Sequence, residues 1–405
     1  MPDIQIVKEV PGLYGSLKVD EKIIQKIWSE QNFNQINLET ESGKKLKILS
    51  PGTWNQSEEG PDFKNAHLLL DRKEISGDVE IHFHSEDWRK HRHNEDSNYN
   101  RVILHVTLFP SKVKARNTKT EGGKIIPQFP LLQHLTQSLE ELLEAQAIES
   151  LAGYQSNLPI NLQVPGILSE MKAQNYQSAQ DRWLQKKSFA KTRLANGNHE
   201  EVFHQCFLEV LGYKRNRIPM NQLAQAFPTA YWNTANRNAT KAFESICNWK
   251  MKGLRPANHP HIRLQQYAQL WEKNPQWIQS LLQLNIPVPQ NEEQSDRKIL
   301  QLSKLNKEWK NKALAGVWGG TRINTLWVDA CLPLLSEINQ VDYFETWFFW
   351  YAGDFPRILL EITKDAKIAG HSPKEPFSNG SLQGVLGYCI KNQITLYILG
   401  KNRDK

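Results

Sequence analysis

Several kinds of segment are missing from this chain of 405 residues. It has no apolar run near the roughly 18 to 20 residues that a helix needs to cross a bilayer, so we expect no membrane partner. Its four cysteines are widely scattered and form no CxxC pair, which argues against structural zinc and a disulfide framework. It also lacks a phosphate loop of the GxxxxGK type, so nucleotide hydrolysis has no support.

The N-terminal segment, MPDIQIVKEVPGLYG, has neither the basic n-region nor the apolar h-region of a secretory signal. We therefore expect a cytoplasmic protein. The chain is longer than a usual single domain, so two domains with substantial cores are the expected organisation.

Two short strands joined as a hairpin are predicted in the N-terminal third. Asn65–Asp71 (NAHLLLD) and Gly77–His84 (GDVEIHFH) both have strand composition, and Arg72–Ser76 is short enough to connect them. Because side chains alternate along a strand, Glu80 and His82 are expected on the same face of the second strand.

Asp62 lies just before the first of these strands, behind a Gly60-Pro61 turn that directs its side chain. We expect the carboxylates of Asp62 and Glu80 to converge, with His82 beside them. Two converging carboxylates bind a hard cation such as Mg²⁺ or Mn²⁺ and leave coordination positions for water and a phosphate oxygen. Such a cation lowers the pKa of its water and neutralises charge in the transition state, so the pattern predicts a metal-dependent phosphodiesterase.

The remaining segments of the N-terminal third complete an α/β pattern. Asp20–Phe33 has the one-sided apolar spacing of a helix, Lys45–Leu49 and Arg101–Phe109 are predicted strands, and Ser85–Tyr99 indicates a short helix and a loop. The predicted order is α-β-β-β-α-β, and a mixed sheet flanked by helices is the natural way to bury it.

The β pattern stops after Pro130, and amphipathic helical segments follow nearly to the end of the sequence. We therefore predict an α/β domain over residues 1–130 and an all-α helical domain over residues 131–405.

Basic residues are concentrated in the helical part. The net charge of the chain is +7, yet Asn161–Gln265 contains fifteen Lys and Arg against six Asp and Glu. Such a stretch attracts polyanions, so nucleic acid is the predicted partner. Five side chains are candidates for phosphate contacts: Lys214, Arg215, Arg217, Arg255 and Arg263. The alternative is that these residues form solvated helix faces and that Arg255 and Asn258 cap a helix.

Several sequence blocks together resemble a bacterial family labelled domain of unknown function 2851. In the N-terminal third they are Pro51-Gly52-Thr53-Trp54-Asn55, Gly60-Pro61-Asp62-Phe63, Gly77-Asp78-Val79-Glu80-Ile81-His82, and Asp87-Trp88 with His91, His93, Asp96 and Tyr99. In the helical half they are Leu211-Gly212-Tyr213 with Asn216, Leu254-Arg255-Pro256-Ala257-Asn258, and Gly319 to Arg322 ahead of Leu332-Pro333. The likeness runs through most of the chain, and the family label implies no activity.

The N-terminal third also resembles the PD-(D/E)xK nuclease superfamily, in which a sheet hairpin carries an aspartate and then a Glu-x-Lys. The resemblance implies a restriction-endonuclease-like fold, with Asp62 and Glu80 as metal ligands and Glu21 on the opening helix as a further one. His82 departs from the pattern, because a lysine normally orients water or stabilises charge at that position. A neutral imidazole can accept a proton but supplies less charge.

Two other interpretations stay open. Five histidines of one short segment either form a transition-metal site or have structural roles: His82, His84, His91, His93 and His105. No zinc-protease spacing such as HExxH is present, and His91 and His93 do not share a helix face.

The leading prediction is a nuclease with Asp62, Glu80 and His82 as catalytic residues. The alternative is a non-catalytic nucleic-acid-binding or scaffolding protein that keeps a nuclease-like fold.

Overall fold

The computed structural model describes residues 21–55, 59–111, 118–135, 139–151, 166–195, 197–247, 249–252, 254, 256–289 and 296–392. These residues divide into two compact units, the sheet unit (residues 21–135) and the helical unit (residues 139–392). Within the described ranges, no helix is both long and apolar enough to cross a membrane.

The sheet unit contains nine short strands in its described residues. They are β1 (Leu38–Glu39), β2 (Lys45–Ser50), β3 (Thr53–Trp54), β4 (Phe63–Leu70), β5 (Lys73–His82), β6 (Val102–Thr107), β7 (Thr118–Lys119), β8 (Ile125–Ile126) and β9 (Gln128–Pro130). Seven of them form one sheet in the order β1-β2-β4-β5-β6-β9, with β3 paired to β4, while β7 pairs with β8. The first half of this sheet is antiparallel, and β5, β6 and β9 are parallel. The predicted mixed sheet is therefore confirmed.

Helices flank the sheet as the apolar spacing predicts. Helix α1 (Lys22–Ser29) buries one face, formed by Ile23, Ile24, Ile27 and Trp28. Helix α2 (Asp87–Lys90) and two single 3₁₀ turns, His93–Glu95 and Ser97–Tyr99, connect β5 to β6. Parallel strands need such a crossover connection, because a tight turn cannot reverse the chain direction twice.

The β4–β5 hairpin is longer than the sequence indicates. The sequence predicts Arg72–Ser76 as the connection, but all of it except Arg72 belongs to β5, and the turn consists of Asp71 and Arg72 alone. Both turn residues have positive φ, 46° and 68°. A two-residue turn with that backbone matches the right-handed twist of the strands, so pairing continues up to it.

Two glycines allow the close backbone approaches that shape the hairpin. Gly52 has φ +89°, and a Cβ on it would lie 2.7 Å from the carbonyl oxygen of Lys64. A Cβ on Gly77 would lie 2.5 Å from the carbonyl oxygen of Arg101, immediately before β6. Any larger residue at either position would push apart the strands that carry the predicted site residues.

The helical unit is built from helices of very different lengths. Its helices are α3 (Leu139–Ser150), α4 (Ile167–Ala195), α5 (His199–Leu211), α6 (Tyr213–Ala226), α7 (Thr229–Trp232), α8 (Ala239–Glu244), α9 (Pro260–Lys273), α10 (Trp277–Leu282), α11 (Leu302–Glu308), α12 (Thr321–Thr325), α13 (Leu332–Asn339), α14 (Phe344–Phe349), α15 (Arg357–Asp365) and α16 (Asn379–Asn392). Two π-helical segments, Trp309–Ala313 and Leu326–Cys331, continue α11 and α12. The predicted helical region is confirmed.

Tryptophan side chains dominate the larger core of this unit. Trp183, Trp277, Trp327 and Trp347 are almost completely buried in it. Buried indole rings contribute large apolar areas, which stabilises a unit made largely of short helices. A second apolar cluster lies where α4 and α16 pack together and includes Leu382.

Candidate active site

The pairing of β4 with β5 brings Asp62 and Glu80 together. Phe63 is opposite Val79 in the antiparallel register, so Asp62, just before β4, lies beside Glu80 of β5. The backbone N–H of Asp62 donates to Glu80 Oε2 over 3.0 Å. The backbone N–H of Ile81 donates to Asp62 Oδ2 over 2.9 Å. Each carboxylate is thus held by the strand that carries the other.

Gln25 of helix α1 and Glu21, the residue just before that helix, lie near the same carboxylates. Gln25 Nε2 donates to Asp62 Oδ1 over 2.7 Å, and Glu21 Oε1 accepts a long hydrogen bond of 3.4 Å from the backbone N–H of Phe83. The charge of Glu21 raises the pKa of both Asp62 and Glu80. The structure therefore brings Asp62 and Glu80 together, and Glu21 lies near enough for its charge to act on both carboxyl groups.

Burial and mutual repulsion make the ionised forms of this cluster unfavourable. Burial is the main cause that raises the pKa of Asp62 to about 8, and the neighbouring charge of Glu80 adds to it. Burial likewise raises the pKa of Glu80 to about 8, and the charge of Glu21 adds to it. Among the described residues, no cationic group contributes to lowering either pKa, so a bound cation would have a strong electrostatic reason to occupy the cluster.

His82 lies next to Glu80 at the end of β5, as alternation predicts, and it is almost completely buried. Its Nδ1 is 2.9 Å from His105 Nε2, and its Nε2 is 3.1 Å from His91 Nδ1. Burial, followed by the neighbouring imidazoles His105, His93 and His91, lowers the pKa of His82 far below its usual value. The ring is therefore neutral, and both of its nitrogens face other imidazoles.

His91 and His93 come from the β5–β6 connection and complete a cluster of three imidazoles. One ring nitrogen of each of His82, His91 and His93 lies within 4.8 Å of the other two. Glu80 Oε1 is 3.2 Å from His93 Nε2 and 3.5 Å from His82 Nε2. Burial lowers the pKa of His93 to about 4. The carboxylate cluster and the imidazole cluster therefore meet at Glu80.

The other histidines of the segment have separate surroundings. His105 on β6 is completely buried, and burial is the main cause that lowers its pKa to about 3. His84 lies outside the cluster and stacks on Phe109 with ring centroids 5.0 Å apart. Asp87, the first residue of α2, accepts from the backbone N–H of His84 and from Lys90 Nζ, so its side chain joins the end of β5 to this helix. Three of the five histidines, His82, His91 and His93, thus converge, whereas His84 and His105 have structural contacts.

Two of the five predicted phosphate-contact residues, Arg217 and Arg263, are engaged within the protein. Arg217 Nη2 lies 3.3 Å from Glu209 Oε1. Arg263 donates to Asn258 Oδ1 over 3.0 Å and lies 5.7 Å from the ring centre of Tyr213. Arg255 and the side chains of Lys214 and Arg215 lie outside the described residues.

Sequence reasoning missed two polar residues at these places. Gln25 contacts Asp62, and its spacing of four residues from Glu21 on a helix is the signal that could have identified it. Arg322 lies 3.0 Å from the ring centre of Tyr213 and forms an ion pair with Asp354 at 2.8 Å. Its partners are distant in sequence, so no local pattern could have revealed this pair.

The comparison with known families agrees with the sequence blocks up to Asn216, whereas the blocks from Leu254 onwards lie outside the matched residues. The family described as "Protein of unknown function (DUF2851)" matches residues 21–247, which is more than half of the chain. The chain belongs to this family. The matched segment includes every carboxylate and imidazole of the site described above. Neither the curated proteins nor the solved structures contain a match.

Proposed function

We propose that this protein is a divalent-cation-dependent phosphodiesterase that cleaves DNA or RNA. The observation that carries the proposal is the convergence of Asp62 and Glu80 through the β4–β5 hairpin, with Glu21 nearby, where the pKa values of Asp62 and Glu80 are about 8. Like charges held together out of water are unfavourable unless a cation lies between them. A cation-binding role accounts for an arrangement that would otherwise only destabilise the sheet unit.

The residues present fit a hard cation such as Mg²⁺ or Mn²⁺. Each oxygen of Asp62 accepts one hydrogen bond, and Glu80 Oε2 accepts one from the Asp62 backbone. A carboxylate oxygen has two lone pairs, so acceptor capacity is left on both residues. Asp62 and Glu80 would hold the cation, with Glu21 as a third ligand. When bound, such a cation activates water and neutralises charge on the phosphate.

The proposal extends to a restriction-endonuclease-like fold for the sheet unit. Its support is the order of parts: Glu21 just before an opening helix, Asp62 just before the first strand of a hairpin, Glu80 on the second strand, and a parallel crossover beyond it. His82 stands where the superfamily pattern has lysine. Its neutral ring supplies no positive charge, and its predicted role in deprotonating water stays a prediction.

The test is cleavage of mixed single-stranded DNA, duplex DNA and RNA by the purified full-length protein after treatment with EDTA. We expect activity to return with Mg²⁺ or Mn²⁺. Glu80→Gln and Asp62→Asn should lower it about 1000-fold or more, because a bound cation contributes several kcal/mol to the barrier.

Glu74→Gln is the matched control, because Glu74 lies on the same strand and is exposed. It should cleave as the wild type does. Cleavage that survives Glu80→Gln would identify a contaminating nuclease. If no substrate is cleaved with either metal, the proposal fails and the non-catalytic alternative gains.

A further inference from the structure

The ring nitrogens of the imidazole cluster are close enough together to serve as ligands of one metal ion. Ligand atoms on a tetrahedral Zn²⁺ lie about 3.3 Å apart, given Zn–N bonds of about 2.0 to 2.1 Å. His82 Nε2 and His91 Nδ1 are 3.1 Å apart, and one nitrogen of His93 lies within 4.8 Å of both. The three side chains can therefore reach one ion with small rotations.

A second, independent observation also indicates a ligand. His93 Nε2 has no hydrogen-bond partner among the described residues, although the side chain of His93 is only 10% exposed. It lies 3.2 Å from Glu80 Oε1, but not with the geometry of a hydrogen bond. His93 also stacks on Tyr99 with ring centroids 3.8 Å apart, which fixes the plane of its imidazole. A buried polar nitrogen that is oriented and unpaired is costly unless something binds to it.

The surroundings of His82 match those of metal-bound histidines. A metal-ligating imidazole usually gives its other ring nitrogen to a hydrogen-bond partner, which fixes its orientation. Here His82 Nδ1 faces His105 Nε2 at 2.9 Å, and His105 Nδ1 lies 3.5 Å from Thr118 Oγ1. Gln128 Nε2 in turn donates to Thr118 Oγ1. This relay holds His82 with Nε2 directed at the cluster.

We propose that His82, His91 and His93 form a binding site for a transition-metal ion, with Zn²⁺ as the ion that best suits three imidazoles. Imidazole nitrogens prefer zinc and its neighbours over Mg²⁺. Glu80 Oε1 lies beside two of these nitrogens, so Glu80 adjoins the nitrogen-rich site on one side and Asp62 on the other. The site is separate in chemistry from the all-oxygen cluster but shares this carboxylate.

The catalytic use of this site rests on the proposed function, whereas its metal binding does not. His82 replaces the lysine that would stabilise negative charge in the superfamily pattern. A dication held by the three imidazoles restores positive charge at that position, and His82 then serves as a ligand instead of a base. Two dications that share a bridging carboxylate form a common arrangement in enzymes that cleave phosphodiesters.

His91 is the best residue with which to test the site, because it is the exposed member and its loss should leave the fold intact. The full-length protein is stripped with chelator and titrated with Co²⁺, whose visible absorption reports nitrogen coordination, and with Zn²⁺ in competition. We expect one equivalent to bind. His91→Ala should weaken Zn²⁺ more than about 100-fold, since even outer partners of a metal ligand contribute 10- to 100-fold.

His67→Ala is the matched control, because His67 is an exposed histidine on β4 that lies outside the cluster. It should bind Zn²⁺ as the wild type does. Equal Zn²⁺ affinity in the wild type and His91→Ala would overturn the inference, as would the absence of stoichiometric Zn²⁺. Circular dichroism of each variant checks that the fold is retained.

Two outcomes distinguish this inference from the proposed function. If Zn²⁺ binds and depends on His91 but no nucleic acid is cleaved with any metal, the site stands and the nuclease proposal fails. If Mg²⁺-dependent cleavage is unchanged in His91→Ala and no Zn²⁺ binds, the nuclease proposal stands and this site is wrong. Asp62→Asn should abolish cleavage and keep Zn²⁺ binding.

Discussion

Buried carboxylates occur in both units, in opposite electrostatic surroundings. In the helical unit, Glu209 accepts from Arg193 over 2.5 Å and lies 3.3 Å from Arg217. Burial alone would raise its pKa, but the two guanidinium groups outweigh burial and lower it. In the sheet unit, the pKa values of Asp62 and Glu80 are raised, because burial and like charges act in the same direction. The charge of Glu209 is therefore balanced by two arginines, whereas no cationic group among the described residues lowers the pKa of Asp62 or Glu80.

The largest loss of stability should come from breaking the ion pairs of Glu209 with Arg193 and Arg217. Glu209→Gln leaves Arg193 and Arg217 without their shared carboxylate, and removing one partner of a buried ion pair costs about 3 to 5 kcal/mol of unfolding free energy. Chemical denaturation, followed through the unfolding transition of the helical unit, measures this loss.

Glu244→Gln is the control, because Glu244 lies exposed on α8. It should change the unfolding free energy by less than about 0.5 kcal/mol. If Glu209→Gln lowers the unfolding free energy by less than about 1 kcal/mol, the two arginines find water or other partners. The two units would then differ less in how they accommodate buried carboxylates.

The second prediction concerns the pH dependence of the metal-free sheet unit. The folded pKa values of Asp62 and Glu80 are near 8, above the usual values of 3.8 and 4.5, so the folded state binds protons more tightly than the unfolded state. Its stability should therefore fall as pH rises from about 4.5 to 8, by a few kcal/mol in order of magnitude. Amide exchange of Ile81 in EDTA measures this. Added Mg²⁺ or Mn²⁺ should cancel the fall at pH 8, and a flat profile in EDTA would contradict the repulsive cluster.

The third prediction is that the same kind of substitution, Glu to Gln, stabilises the sheet unit, whereas it destabilises the helical unit. Glu80→Gln removes an unfavourable buried charge and keeps an oxygen for the Asp62 N–H. It should raise the stability of the metal-free protein by about 1 to 2 kcal/mol at pH 8.5 and give no gain at pH 5. Thermal melting in EDTA at both pH values checks this. Destabilisation at pH 8.5 would mean that Glu80 is structural, like Glu209, and that the two units do not differ.

The sequence predicts the meeting of Asp62 and Glu80 in the sheet unit better than the ion pairs of the helical unit. The reason is how far apart the partners lie along the chain. Asp62 and Glu80 are 18 residues apart and meet through one hairpin, so period-two alternation is enough to place them. His91 and His93 fold back over the strand through turns that no periodicity describes. Their convergence with His82 therefore could not be predicted from spacing.

In the helical unit, the partners of the basic stretch come from far along the chain. Lys186 lies 2.8 Å from Asp329, and Lys187 lies 3.8 Å from both Glu337 and Asp342. A local surplus of charge therefore overstates the free positive surface, because acidic residues more than a hundred positions away neutralise part of it. Such ion pairs are visible only in the folded structure, and a count of charges along the sequence cannot predict them.

The smallest predicted effect tests what remains of the basic stretch. Arg217 is engaged with Glu209, so any phosphate contacts in its turn fall to Lys214 and Arg215. If nucleic acid binds there, Lys214→Glu with Arg215→Glu should weaken binding to all sequences alike and reduce the log–log salt slope by about 0.7 to 0.9 per lost contact. Arg217→Gln should leave the slope unchanged and lower stability instead. Fluorescence anisotropy across a salt series separates the two, and an equal slope in wild type and double variant would show that these residues face only solvent.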